Sequence, residues 1–176
     1  MSKINQNKNA RARGHLHVGR WTDTVTPKKG WTCVDVEDLG ENYEQGTEDS
    51  KNTITCEMCS IANIRYVHIM RHPATDYGLR VGCVCAGKME DNAEAAKVRD
   101  LKLQNRAKRL RAWCEKAWSK TKNGDDTIKK QGYIFSIHQD AYAWRFAVRN
   151  QETHSFVPNS GNCLTKLKAK KSAFLW

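Results

Sequence analysis

Apolar residues in the middle of the chain follow two spacings, and each spacing predicts a different kind of element. In residues 31–39 they alternate imperfectly with polar residues, and residues 64–70 form a run rich in β-branched and aromatic side chains, so both segments predict strands. A third short run, residues 79–85, predicts another strand after a turn. Residues 91–118 contain no glycine or proline and have apolar residues three, four or seven positions apart, which predicts one long helix.

The last third of the chain predicts a small separate domain. Residues 123–126, Asn-Gly-Asp-Asp, are a turn signal, and we take them as the start of a domain that covers residues 123–176. Beyond the turn, three segments alternate as strands and a fourth is helical in composition: 132–137, 143–149, 153–157 and 164–176. The predicted domain is therefore a three-stranded sheet followed by a helix, and the chain as a whole belongs to the α+β class.

Charge adds a possible partner to this picture. The 176 residues carry a formal net charge of +11 at pH 7, which favours polyanions. Ten Lys or Arg residues and only two acids fall within residues 97–122, and such a cluster binds phosphate backbones by releasing counterions. A solvated charged surface is the alternative interpretation. The candidate nucleic-acid-binding residues are Lys102, Arg106, Lys108, Arg109, Arg111, Arg145, Arg149, Lys168, Lys170 and Lys171.

Cysteine spacing adds a metal site. Four of the seven cysteines form two close pairs, Cys56 with Cys59 and Cys83 with Cys85. A structural Zn²⁺ ion takes four ligands in a tetrahedron with Zn–S bonds of about 2.3 Å, and two thiolate pairs on neighbouring hairpins supply such a set. The spacing therefore predicts one Zn²⁺ ion bound by these four cysteines. An iron–sulfur cluster uses the same ligands, and ordinary buried thiols are the alternative without metal.

The remaining composition indicates the compartment. Seven is an odd number of cysteines, which suits reduced thiols better than a secreted disulfide framework. The sequence has no apolar run long enough for a membrane span or a signal peptide. We therefore expect a cytoplasmic protein without a membrane partner. Residues 1–29 predict a flexible basic tail.

Four short motifs carry a resemblance: CEMC at 56–59, IRYVH at 64–68, HP at 72–73 and VGCVCAG at 81–87. In this order they resemble a group of small bacterial proteins of unknown function with paired cysteines. The resemblance spans about residues 30–118. It implies a zinc-ribbon-like module followed by a basic helix, and we assign both to residues 30–122.

The C-terminal domain has resemblances of its own. Its predicted order of three strands and a helix is similar to the DNA-binding domains of the plant ethylene-response and integrase amino-terminal kinds, which lay a sheet in the major groove. When the preceding helix is included, the order is similar to that of double-stranded-RNA-binding domains. These topological analogies imply a nucleic-acid partner and favour DNA over RNA.

An enzyme is one alternative. Cysteine pairs around a His-bearing strand, followed by a helix, resemble the layout of His-Asn-His nucleases, in which His68 would be the general base and His72 a metal ligand. The chain departs from that pattern, because no Asn lies between His72 and Cys83 and no His directly follows Cys85. The sequence therefore favours a binding protein over a nuclease.

The leading functional hypothesis is thus a zinc-stabilised nucleic-acid-binding protein, compatible with an origin in a mobile element or phage. A protein-interaction regulator or inhibitor, which uses the basic helix against an acidic protein partner, is the other alternative.

Overall fold

The computed structural model of the chain describes residues 19–40, 53–157 and 162–176. Residues 1–18 of the predicted tail, residues 41–52 and residues 158–161 lie outside these ranges. The described residues contain three helices and two antiparallel sheets, so the predicted α+β class is confirmed.

Two compact units make up the described chain, and the division between them falls between Asp100 and Leu101, inside the long helix. The sequence had suggested a boundary at the turn of residues 123–126, which lies within the second unit. The reason is that the helix takes part in two hydrophobic cores: Ala96 belongs to the first and Trp113 to the second.

The first unit contains a three-stranded antiparallel sheet of β1 (Thr32–Asp38), β2 (Tyr66–Arg71) and β3 (Gly78–Val81), in the order β1-β2-β3. These strands confirm the predicted ones in position, except that the third was predicted to run to residue 85. The chain instead turns at Gly82 and forms α1 (Cys83–Met89).

Helix α1 was missed because its sequence, CVCAGKM, continues the apolar alternation of the strand before it. Its buried residues are Cys85, Ala86, Gly87 and Met89, and three of them are consecutive, which does not fit the alternating faces of a strand. They pack into the core of the first unit. The other members of that core are Trp31, Cys56, Met58, Cys59, Met70, Leu79, Val81 and Ala96.

The predicted long helix is present as α2 (Ala93–Glu115). The side chain of Asn92 caps its start, because Asn92 Oδ1 accepts a hydrogen bond of 2.9 Å from the Ala95 N–H. Along the helix Ala96, Leu103 and Leu110 are buried at intervals of seven residues, close to two turns. This spacing is the apolar stripe predicted from the sequence.

The second unit also contains the antiparallel sheet that the sequence predicted only in part. Three strands were expected, but the sheet has five, in the order β4-β5-β6-β7-β8. The elements are β4 (Ser119–Lys120), β5 (Asp126–Lys130), β6 (Tyr133–Gln139), β7 (Trp144–Asn150), β8 (Phe156–Val157) and α3 (Lys166–Leu175). Strand β5 was missed because Ile128 is its only apolar residue, and pairing with β6 rather than its own pattern makes it a strand.

One face of this sheet forms the second core. Phe135 and Ile137 of β6 lie on it with Phe146 and Val148 of β7, as their alternation predicted. Buried Ala169 and Ala173 of α3 pack there together with Trp113. The Trp113 indole N–H donates a hydrogen bond of 2.8 Å to the Lys170 carbonyl, so this large side chain is anchored at its polar end too.

Candidate metal centre

The first two cysteines lie on a tight turn. The Cys56 N–H bonds to the Ile61 carbonyl at 2.8 Å, and the Cys56 carbonyl accepts from the Ser60 N–H at 2.8 Å. Ser60 has a φ of 60°, in the left-handed region, which allows the chain to reverse after Cys59. This turn brings the two thiols of the C-x-x-C pair to the same side.

Cys85 reaches the same place from α1. The sulfurs of Cys56, Cys59 and Cys85 all lie within 4.8 Å of one another, and all three residues are buried. Three thiols at such separations are compatible with a common metal ion, since a tetrahedron with Zn–S bonds of about 2.3 Å places its sulfurs about 3.8 Å apart. We call these three cysteines the thiol trio.

The surroundings of the trio favour a negative sulfur. A hydrogen bond from the Cys85 thiol lowers the pKa of Cys56 below its ordinary value; burial opposes this, and the N–H groups of Gly82, Cys59 and Met58 add to the lowering. The same bond, together with burial, raises the pKa of Cys85. These opposite shifts both follow from the hydrogen bond between the two sulfurs, and a metal ion bound by both would displace the proton in that bond.

Residues from the start of the described chain line this centre. The Trp21 indole N–H donates to Cys85 Sγ at 3.4 Å, and the Trp21 backbone N–H donates to the Met58 carbonyl at 3.3 Å. Gly19 lies so close to the turn that a Cβ there would be 2.9 Å from the same Met58 carbonyl. Residues 19–21 are thus part of the centre, although the sequence analysis assigned them to the tail.

Three of the four predicted cysteines thus come together, and Cys83 is grouped elsewhere. In a helix, residues i and i+2 point in directions about 200° apart, so α1 directs Cys83 and Cys85 to different sides. The prediction assumed a strand–turn geometry for this pair. Cys83 instead lies within 4.8 Å of ligand atoms of His68 and Asp100.

The chemistry of the trio restricts the kinds of metal it suits. Three thiolates favour Zn²⁺, Cu⁺ or an iron–sulfur cluster over the hard ions that prefer oxygen. Among the described residues no fourth Cys, His, Asp or Glu joins the group. The trio is compatible with metal binding, and it does not identify the metal.

The candidate basic residues of α2 are on its surface. Lys102, Arg106, Lys108, Arg109 and Arg111 are all exposed. Because residues lie about 100° apart around a helix, Lys102 and Arg109 flank the buried stripe on one side and Arg111 flanks it on the other, while Lys108 lies farther round. The helix therefore presents cations over a broad arc.

The other basic candidates have more varied surroundings. Arg145 and Arg149 are half-buried on the sheet face opposite the core, and Arg145 forms an ion pair with Asp140. Lys168 is exposed, and Lys171 is half-buried. Lys170 is held in the structure: its Nζ donates to the Cys114 carbonyl at 3.3 Å and lies 5.0 Å from the centroid of the Trp118 ring. Burial lowers the pKa of Lys170.

Strand register reveals a surface that the sequence analysis missed. Lys129, Ile134, Arg149 and Phe156 pair in one row across β5 to β8, on the face opposite the core. The adjacent row, from β4 to β7, consists of small side chains: Ser119, Thr127, Ser136 and Ala147. Beyond it His138 pairs with Arg145. We call these three rows the open sheet face.

The burial of His68 does not suit the nuclease alternative. Its side chain is fully buried and burial lowers its pKa, whereas a general base has to reach a substrate or its water. His72 packs against Trp31, with 5.2 Å between the ring centroids. The burial of His68 gives no support to its role as a general base, and the nuclease stays an untested alternative.

Comparison of the chain with protein-family models, curated proteins and solved structures finds no match. Within the described ranges, none of the helices combines the length and the apolar character needed to cross a bilayer. Function can therefore be inferred only from the chemistry of the sites themselves.

Proposed function

We propose that this chain is a nucleic-acid-binding protein whose first unit is stabilised by a Zn²⁺ ion on the thiol trio. The observation that carries the proposal is the open sheet face. It combines cations, small side chains and an exposed aromatic ring in adjacent rows.

The row from Lys129 to Phe156 supplies two kinds of contact. Lys129 and Arg149 offer positive charge for phosphates, and the Phe156 side chain, 70% exposed, offers a ring on which a base can stack. Paired strand positions lie about 4.8 Å apart, so the row is long enough for more than one nucleotide. Exposure of this apolar ring to water is unfavourable, which is consistent with a partner that covers it.

The central row allows close approach. Its Ser, Thr and Ala side chains are short, so a flat base can lie near the sheet while the cations of the two outer rows contact the backbone. Arg145 and His138 form the outer row on the far side. This alternation of charged and small residues supports binding of a nucleic-acid strand across the sheet, perpendicular to its strands.

Helix α2 adds a second basic surface. Five exposed cations lie within ten residues, Lys102, Arg106, Lys108, Arg109 and Arg111, and Glu115 is the sole acid of the helix beyond Asp100. Each phosphate neutralised by such a cation contributes to a salt-dependent affinity. DNA is the expected partner in preference to RNA, as the sequence resemblances suggested.

The decisive measurement is fluorescence anisotropy of labelled single-stranded DNA, double-stranded DNA and RNA of one sequence over a range of salt. We expect affinity that falls as salt rises. Phe156→Ala lowers the affinity for single strands by about 5- to 100-fold, since stacking of one base contributes about 1–3 kcal/mol. Tyr142→Ala is the matched control, because Tyr142 is 97% exposed but lies in the turn between β6 and β7.

A second pair of variants tests α2. Replacing Lys108, Arg109 and Arg111 together by Ala reduces the slope of log affinity against log salt by about one unit per lost contact. The control replaces three exposed cations of the first unit, Lys29, Arg71 and Arg80, and changes the net charge equally. No binding at low salt, or equal losses in both triple variants, contradicts a specific role of these surfaces.

A further inference from the structure

A second cluster of metal-ligating side chains lies in the first unit, apart from the thiol trio. One ring nitrogen of His68, the Cys83 sulfur and a carboxylate oxygen of Asp100 all lie within 4.8 Å of one another. His68 is fully buried, whereas Cys83 and Asp100 are half-buried. The cluster thus has an inner wall and an outer side open towards solvent.

Three elements bring these residues together. His68 of β2 pairs with Val81 of β3, and Cys83 follows Val81 by two residues at the start of α1. Asp100 lies one turn after Ala96 in α2, on the same side of that helix. The ligands are far apart in sequence, and their meeting point is set by elements that are themselves anchored in the core.

The hydrogen bonding of His68 determines which nitrogen is available. Nε2 faces the Ala96 carbonyl at 3.4 Å, and because a carbonyl oxygen can only accept, Nε2 carries the proton. Burial, aided by the charge of Arg99, lowers the pKa of His68, so the ring is neutral. Nδ1 therefore has a bare lone pair. It is buried and has no hydrogen-bond partner in the described residues.

An orphaned, buried lone pair is costly unless something binds it. Metal-binding histidines typically donate their second ring N–H to a carbonyl, which orients the ring towards the ion. His68 has that arrangement through Ala96. The unsatisfied Nδ1 and the carbonyl-anchored Nε2 both suit a ligand bound through Nδ1.

Charges around the cluster permit a cation. Arg99 and Lys97 are the positive groups whose charge reaches Cys83, and the guanidinium of Arg99 is paired with Glu90. Burial raises the pKa of Cys83, and the charge of Asp100 raises it further. A bound divalent ion would relieve the repulsion between thiolate and carboxylate and release the thiol proton.

We propose that His68, Cys83 and Asp100 bind a second divalent metal ion, Zn²⁺ by the chemistry of the donors. Nitrogen, sulfur and oxygen ligands are all usual for Zn²⁺, and three protein ligands with a solvent-open side leave a fourth position for water. Helix α1 then serves both sites, with Cys83 in this one and Cys85 in the trio. The site does not depend on nucleic-acid binding.

Titration of the metal-free full chain with Co²⁺ under reducing conditions tests this assignment. Co²⁺ replaces Zn²⁺ and reports thiolate ligation by charge-transfer absorption. We expect two equivalents per chain, with Cys83→Ser and Asp100→Asn each reducing the number to one. Both substitutions are at half-buried positions, so far-UV circular dichroism should show an unchanged fold. Cys33→Ser, a half-buried thiol outside both clusters, is the control and retains two equivalents.

The alternatives give different results. If Cys83→Ser and Asp100→Asn both bind as much Co²⁺ as the unchanged chain, the second site does not exist. A second outcome is that the unchanged chain binds one Co²⁺ ion, which Cys83→Ser and Cys56→Ser each abolish and Asp100→Asn does not affect. Cys83 then belongs with the trio, and the proposal is overturned. If Cys56→Ser retains one ion that Asp100→Asn loses, the second site stands even where the trio binds nothing.

Discussion

The contact between α1 and α2 at Gly87 allows a test of the geometry that holds the metal ligands. Gly87 is buried in α1, and its carbonyl accepts a hydrogen bond of 2.9 Å from the Asn92 N–H in the turn to α2. A Cβ built at Gly87 would be 2.8 Å from Ala93 Cα, a backbone atom. Non-bonded carbon atoms normally lie about 3.5–4.0 Å apart, so Gly87→Ala forces one of the helices to move.

Two opposing effects determine the size of the change. Replacing a helical Gly by Ala stabilises by about 1 kcal/mol where there is space. Overpacking in a close-packed core costs about 1–3 kcal/mol. Because the atom in the way is backbone and cannot rotate aside, we expect overpacking to dominate, with a net destabilisation of up to about 2 kcal/mol. With a urea m value of about 1–3 kcal/mol/M, 1 kcal/mol lowers the midpoint by about 0.3–1 M.

Urea denaturation followed by circular dichroism measures this shift, and Co²⁺ titration of the same variant shows whether the displacement of α1 weakens the thiol trio. Gly82→Ala is the matched control: its Cβ would be 3.1 Å from Ile64 Cδ1, a mobile side-chain end, and its φ of −79° suits any residue. We expect a change of only a few tenths of a kcal/mol there. A Gly87→Ala variant that is more stable than the unchanged chain would refute the close approach.

Two further predictions concern one site in each unit. Burial by itself raises the pKa of Asp126, but hydrogen bonds and charge from Lys120 and Lys166 outweigh it and hold this pKa below the ordinary value. Asp126→Asn should therefore lower the free energy of unfolding by about 1–3 kcal/mol at neutral pH. The difference from the unchanged chain should vanish as pH falls from about 4 through the lower folded-state pKa of Asp126, which urea midpoints measured at a series of pH values would show. A difference that does not change with pH contradicts the ion pairs. In the first unit, excess Zn²⁺ at about 100 times the Kd of a site should stabilise the chain in thermal unfolding by about 2.7 kcal/mol for each site filled. Cys85→Ser should lose the share of the thiol trio, while Cys33→Ser keeps the whole gain. Equal gains in both variants would remove Cys85 from the metal centre.

Strands β6 and β7 and helix α2 could be predicted from the sequence because their own residues carry the signal. Phe135 and Ile137 alternate with Ile134 and Ser136, so one side of β6 had to be buried. The seven-residue spacing of Ala96, Leu103 and Leu110 made α2 equally clear. Local sterics and the burial of one face are enough to determine such elements.

Other elements have no comparable signal of their own. The segment that forms α1 alternates like a strand, and Gly82 and the packing of Met89 make it a helix. Strand β5 depends on its partner β6, since its charged residues would otherwise indicate a loop. In both cases tertiary contacts override the local pattern, because burial against a neighbouring element contributes more free energy than the local preference costs.

The division is the same for the metal ligands. The C-x-x-C spacing by itself indicated that Cys56 and Cys59 act together, since the two lie on one turn and no distant contact is needed to join them. Which third thiol completes their group, and that Cys83 instead meets His68 and Asp100, was decided by the folded chain. These ligands come from separate elements, and their directions follow from whether the backbone between residues 81 and 89 is extended or helical, a choice that only packing in the core makes.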